Sequence, residues 1–214
     1  MIEIIRGILC EELTYLYIDE TSGHGFVIDP GADGDRLADY INEKGYVIEY
    51  ILLTHGHGDH IYGAERLRAL TGAAIVMHKE GKHYVTNPDW NLSYALCGEE
   101  ILFEADEYLE HGEEIQLEVC PSFKVQLIHV PGHTTDGACY YAKEEGIAFV
   151  GDTIFAGSVG RSDFPGGNAM RLMHAIRAQI FTLPEQTILY PGHGPSTTVR
   201  REIDTNPVFN MFDE

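Results

Sequence analysis

The chain has 214 residues, 44% of them hydrophobic and 22% charged, the profile of a single globular domain spanning 1–214 that can bury a core. Fourteen basic against thirty-four acidic side chains give a formal net charge of -20, which argues against a nucleic acid or an anionic membrane as partner. No apolar run reaches the length of a membrane span, and Met1-Ile2-Glu3-Ile4-Ile5-Arg6-Gly7 lacks the pattern of a secretory leader, so a cytoplasmic protein is expected.

In chain order, short apolar segments at 13–18 and 25–28 predict strands, and the periodic stretch 36–44 predicts a helix. A strand at 47–53 leads to a helical pattern at 61–70, where Ile61, Ala64 and Leu67 share a face, and then to a strand at 74–77. Residues 80–114 have no clear period and read as an insertion with some helix, whose Tyr84, Trp90 and Tyr94 either line a pocket or pack the insertion down. Strands at 125–130 and 147–150, a helix at 169–180 and a strand at 187–190 complete the pattern. Strands interleaved with helices imply sheets covered by helices, an α/β layered fold. Cys10, Cys97, Cys120 and Cys139 show no C-x-x-C spacing and read as reduced, mostly structural thiols.

Chemistry concentrates in Thr54-His55-Gly56-His57-Gly58-Asp59-His60, between the strand at 47–53 and the helix from Ile61. Four donors lie within six residues, and imidazoles with a carboxylate suit zinc or iron. Without a third glycine at Ile61 or a Lys-Ser/Thr ending, the segment is no nucleotide-binding loop. An ion needs ligands from several directions. His133 in Pro131-Gly132-His133, Asp152 in Gly151-Asp152-Thr153 and His193 in Pro191-Gly192-His193 each follow an apolar run, where loops carry function. Ala156-Gly157-Ser158-Val159-Gly160 approximates a nucleophile elbow, but the loop-like Arg161-Ser162-Asp163-Phe164-Pro165-Gly166-Gly167 stands where the helix behind the serine is required. The remaining histidines, His24, His78, His83, His111, His129 and His174, are assigned no chemistry.

The pattern H-x-H-x-D-H followed by His, Asp and His resembles the metallo-β-lactamase superfamily over essentially the whole chain. The resemblance implies a four-layer αβ/βα sandwich of two mixed sheets with two divalent metal ions in the crevice, zinc first, with iron or manganese as alternatives. It would place His55, His57 and His133 on one metal, Asp59, His60 and His193 on the other, and Asp152 between them, with Asp59 and Asp152 as the catalytic carboxylates. Asp29, in Val27-Ile28-Asp29-Pro30-Gly31, would support a ligand or form a plain Asp-Pro turn.

Gly151-Asp152-Thr153-Ile154-Phe155, Gly160-Arg161-Ser162-Asp163-Phe164 and the ending 197–207 are most similar to short, glyoxalase II-like hydrolases. That resemblance implies a small-molecule thioester such as S-lactoylglutathione as substrate. Arg161 would then contact a substrate carboxylate, or else pair with Asp163. With 21 residues after His193, the helical C-terminal domain of longer relatives is not expected. The rival is a persulfide dioxygenase with one iron on His55, His133 and Asp152. A flavodiiron reductase would place an acid at His57, and nuclease or lactonase chemistry shares the fold.

Overall fold

The computed structural model describes residues 1–7 and 10–210. Its first sheet runs β1 (Ile2–Arg6), β2 (Leu13–Ile18), β3 (His24–Ile28), β4 (Val47–Leu53), β5 (Ala74–His78) and β6 (Glu107–Leu109), in that order. The second holds β7 (Glu114–Gln116), β8 (Lys124–His129), β9 (Ala138–Ala142) and β10 (Ile147–Gly151). A separate hairpin of β11 (Ile154–Phe155) and β12 (Ser158–Val159) follows, and β13 (Ile188–Pro191) and β14 (Thr197–Thr198) then extend the second sheet beyond β10. Both sheets are mixed: β3 to β6 pair in parallel, as do β10 and β13, while the other ladders of the two sheets are antiparallel.

Period-two alternation makes β2 two-faced. Leu13, Tyr15 and Tyr17 point into a core shared with Val125, Leu127, Tyr140 and Phe149 of the other sheet, whereas Leu16 and Ile18 face the outer side. There they meet α1 (Gly34–Lys44) and the helices after β4. The second sheet's outer face packs Val130, Val150 and Leu189 against the helical stretch 169–180. Helix, sheet, sheet, helix is the order of the four layers, as expected.

Capping sets the helix limits. Asp33 accepts from the Arg36 amide at 3.0 Å to start α1, and Gly45 at φ 73° closes it with bonds back to Ile41 and Asn42. The helix expected at 61–70 is instead two: α2 (Gly58–Ile61) and α3 (Ala64–Thr71), parted where the Gly63 amide bonds to Pro30 O at 2.7 Å. The insertion folds as α4 (Lys82–Val85), α5 (Pro88–Asn91) and α6 (Ser93–Cys97) before β6. At 169–180, α7 (Ala169–Ala175) runs into one wider turn, Ile176–Ile180, instead of continuing regularly. The described residues close with α8 (Val199–Thr205) and α9 (Pro207–Asn210).

Ser158 lies in β12, and no helix follows until α7, so the elbow geometry is absent. All four cysteines are free, but only Cys139 is buried. Cys10 is exposed, which corrects its expected structural role. No helix of the described residues is long and apolar enough to cross a membrane.

Candidate metal centre

Every donor singled out from the sequence lies just beyond the C-terminal end of a strand, at one rim of the sandwich. Asp29 follows β3, the segment 54–60 follows β4, His133 lies four residues past β8, Asp152 follows β10, and His193 lies two past β13. Parallel pairing of β3 with β4 and of β10 with β13 brings those ends together. At Gly192 a Cβ would come within 2.4 Å of the His60 ring and 2.5 Å of Asp152 Oδ1, so the backbone passes where only glycine fits. Gly56 is small for a different reason than loop flexibility: a side chain there would strike Tyr84 at 2.4 Å.

Two donor groups result. His55 Nε2, His57 Nδ1 and His133 Nε2 lie 3.0–3.3 Å apart, and Asp59, His60 and His193 form the second group. Asp152 faces both, with Oδ2 3.7 Å from His133 Nε2 and Oδ1 3.4 Å from His60 Nε2 and 3.7 Å from His193 Nε2. Asp59 Oδ2 is 3.5 Å from His193 Nε2. Two ligands held by one ion at about 2.0–2.2 Å in tetrahedral geometry stand roughly 3.3–3.6 Å apart, the scale of these separations.

Tautomers supply the stricter test of fit. His133 Nδ1 lies 2.6 Å from Arg161 O, a carbonyl that can only accept, so Nδ1 carries the proton and Nε2 is bare. Thr54 Oγ1 donates to Asp29 Oδ2 at 2.6 Å and accepts from His55 Nδ1 at 3.1 Å, which leaves His55 Nε2 bare as well. Two bare nitrogens 3.3 Å apart cannot hydrogen-bond each other; a cation between them removes the conflict. In the second group His60 Nδ1 donates to Asp29 Oδ2 at 3.0 Å, while His60 Nε2 and Asp152 Oδ1 are buried and have no hydrogen-bond partner. Asp29 is therefore more than a turn residue. It holds φ 47° and ties His60 to Thr54, whose amide it also accepts at 2.7 Å. Asp59 lies within α2, which starts from His57 without a side-chain cap, so it does not cap that helix.

Charge follows the same division. Burial, then the neighbouring imidazoles, hold His55 well below the usual histidine range and bring His57 down to about 3. Burial also lowers His133, against the pull of Asp152. His60 is opposite: burial disfavours its charge, but Asp152, Asp59 and Asp29 surround it and raise its pKa well above normal. Burial would likewise raise Asp152 and Asp59, yet the positive ring of His60 outweighs it and both stay ionised. His55, His57 and His133 are thus neutral and Asp59 and Asp152 ionised, the states that metal binding requires, whereas His60 would release its Nε2 proton on taking up an ion.

The site opens to a cleft of about 210 Å³ whose wall includes Cys10, Leu96, Arg161 and Phe164. Arg161 Nε and Nη2 grip Asp163 at 2.8 and 2.7 Å, and its guanidinium stacks 3.8 Å over Phe164, so the ion pair with Asp163 is formed. Its Nη1 makes no hydrogen bond among the described residues, and Arg161 is one of the residues lining the cleft. Of the insertion's aromatics, Tyr84 is buried against His57 and Trp90 packs on Tyr84, whereas Tyr94 is 70% exposed. His78 and His129 stack at 3.8 Å apart from the cluster.

Sequence reasoning missed Thr54, Phe164, Leu96 and Asp136. Thr54 heads the histidine segment and could have been found there, and Phe164 stands beside Arg161. Asp136 gave no signal: it is fully buried, and burial pushes its carboxyl up to about 7.

A profile of the metallo-beta-lactamase superfamily matches residues 9–193. The chain is 36% identical over 186 residues to the probable metallo-hydrolase YqgX of Bacillus subtilis (strain 168), covering 87% of each. It is 32% identical over 186 residues to the hydroxyacylglutathione hydrolase GloC of Haemophilus influenzae, covering 86% of each. Among solved structures, the BLEG-1 B3 metallo-beta-lactamase superposes with a TM-score of 0.90 at 31% identity, over 97% of this chain and 99% of that one.

Proposed function

Since the chain belongs to the metallo-β-lactamase superfamily, we propose that it is a binuclear metal-dependent hydrolase of a small thioester such as S-lactoylglutathione. The observation that carries this reading is the convergence of two donor groups on Asp152, each with bare or ionised donor atoms. His55, His57 and His133 would hold one ion and Asp59, His60 and His193 the other, with Asp152 facing both. Imidazole and carboxylate donors suit zinc first, and iron or manganese next.

Divalent ions held there lower the pKa of water to about 7 and polarise a carbonyl oxygen. The chain's own groups do the rest. Asp29, Thr54 and the Arg161 carbonyl lock three imidazoles in the tautomers that present Nε2 to the centre. Leu96, Phe164 and Arg161 wall the cleft, and Arg161 would receive a carboxylate of the thiol portion. A thiol leaving group with a pKa of about 8.5 departs as thiolate without a general acid. A mononuclear dioxygenase on His55, His133 and Asp152 would leave Asp59, His60 and His193 with no task, although they too are gathered, with Asp59 Oδ2 3.5 Å from His193 Nε2.

The test sets two assays side by side on zinc-loaded and iron-loaded protein: thiol release from S-lactoylglutathione, and oxygen uptake with glutathione persulfide. Thiol release is expected, with Arg161→Ala raising KM more than it lowers kcat. Oxygen uptake by the iron form without thioester cleavage, or faster turnover of benzylpenicillin than of the thioester, would refute the proposal.

A further inference from the structure

Among the described residues after His193 none joins the donor groups, yet two polar side chains, of α8 and of the residue that follows it, are fully buried. Glu202 of α8 is 0% exposed, and its carboxylate is saturated: Oε1 accepts from Thr197 Oγ1 at 2.5 Å, and Oε2 accepts from the Gly157 amide at 2.9 Å and from Asn206 Nδ2 at 2.8 Å. Asn206, also 0% exposed, donates from the same Nδ2 to Ser158 O at 3.1 Å. Gly157 and Ser158 form the tip of the β11–β12 hairpin.

That hairpin has two residue pairs, Ile154 with Val159 and Phe155 with Ser158, and belongs to neither large sheet. Two-stranded hairpins of this size are marginal alone. Its two ends bear directly on the centre. Asp152 immediately precedes it with Thr153, whose carbonyl accepts from Gly160 N at 3.3 Å, and a Cβ on Gly160 would meet Asp152 O at 1.9 Å. Arg161, one residue further, offers the carbonyl that fixes His133 Nδ1 at 2.6 Å.

We infer that Glu202 and Asn206 are positioning residues: clamping the hairpin tip, they hold the Arg161 carbonyl where it sets the tautomer and direction of His133. This rests on the metal-centre reading, not on the choice of thioester. The path is continuous, from Glu202 and Asn206 to Gly157 and Ser158, through Gly160 to Arg161 O, and so to His133. Partners that orient a metal-binding histidine in this way typically contribute about 10–100-fold in metal affinity.

The experiment compares zinc affinity, by competition with a chromophoric chelator, and the His133 Nδ1–H signal in long-range imidazole ¹H–¹⁵N spectra of the metal-free protein. Glu202→Met keeps the volume but leaves Gly157 unsatisfied; about 10–100-fold weaker zinc binding and a broadened His133 signal are expected. Glu202→Gln should restore both, because its amide oxygen can replace Oε2 and its NH₂ can donate to Thr197. Asn206→Ala, which cuts the bond to Ser158, should move both readouts the same way, and serves if Glu202→Met does not fold. Val199→Ala, in the same helix and the same apolar core, should lower Tm with wild-type zinc affinity and His133 signal.

Wild-type affinity in folded Glu202→Met or Asn206→Ala would overturn the inference, as would equal zinc loss in Val199→Ala. Wild-type protein that binds no zinc would overturn the metal centre along with it. Zinc binding in the expected pattern without thioester cleavage would refute only the substrate.

Discussion

Among the described residues, Asp152 is the one carboxylate with an oxygen turned to each donor group, Oδ2 to His133 and Oδ1 to His60 and His193. Replacing it by alanine removes a negative charge from between two cation positions, so Asp152→Ala should lose metal at both and abolish turnover. His129→Ala, which touches the stacked ring of His78 and Thr135 O instead, should keep full metal content by elemental analysis. Asp136 makes a pH-dependent prediction. Its folded pKa, pushed up to about 7 by burial, lies above the ordinary value of 3.8, so its contribution to stability is fully present below about pH 4 and lost as pH rises through 7. Asp136→Asn should therefore leave the Tm of the metal-free protein nearly unchanged at pH 4.5 and raise stability at pH 8, by up to about 4 kcal/mol. Equal effects at both pH values would contradict the assignment. The seven donors were legible because four sit in one segment and three others end apolar runs. Asp29 stayed open and Asp136 invisible because their meaning comes from Thr54, His60 and the packed interior, none of which local sequence displays.

Among the elements, long segments with plain periodicity were readable and short ones were not. The strand at 47–53 is β4, and the helix at 36–44 gains its first turn from the Asp33 cap. β9 escaped notice although all five of its residues are buried, because a central strand covered on both faces loses the alternation that marks a half-exposed one. The break between α2 and α3 comes from Pro30, some thirty residues earlier, and so could not be seen in the periodic run itself. Within the insertion, Tyr84 is the piece that reaches the site: its hydroxyl donates to Pro165 O at 3.2 Å and accepts from Thr135 N at 3.0 Å, joining the loop after the hairpin to the loop carrying His133. Tyr84→Phe should cost about 1 kcal/mol, a fall in Tm of roughly 2–4 °C, with metal content unchanged. Loss of metal on this substitution would show that the insertion shapes the centre itself.

At the scale of the molecule, two mixed sheets bring five strand ends to one rim, and a chain with a net charge of -20 gathers the buried Asp29 and Asp59 and the half-buried Asp152 around five imidazoles there. The positive ring of His60 keeps Asp59 and Asp152 ionised there, and bound cations would add to it. The layered architecture was readable from the order of strands and helices; the hairpin that links Asp152 to α8 was not, since its strands are two residues each. The proposed thioester hydrolysis with two ions is tested by titrating metal-free protein with zinc while following thiol release from S-lactoylglutathione. Activity should rise until two equivalents per chain are bound and stop there. Saturation of metal binding at one equivalent, or two equivalents bound with no thiol released, would contradict it.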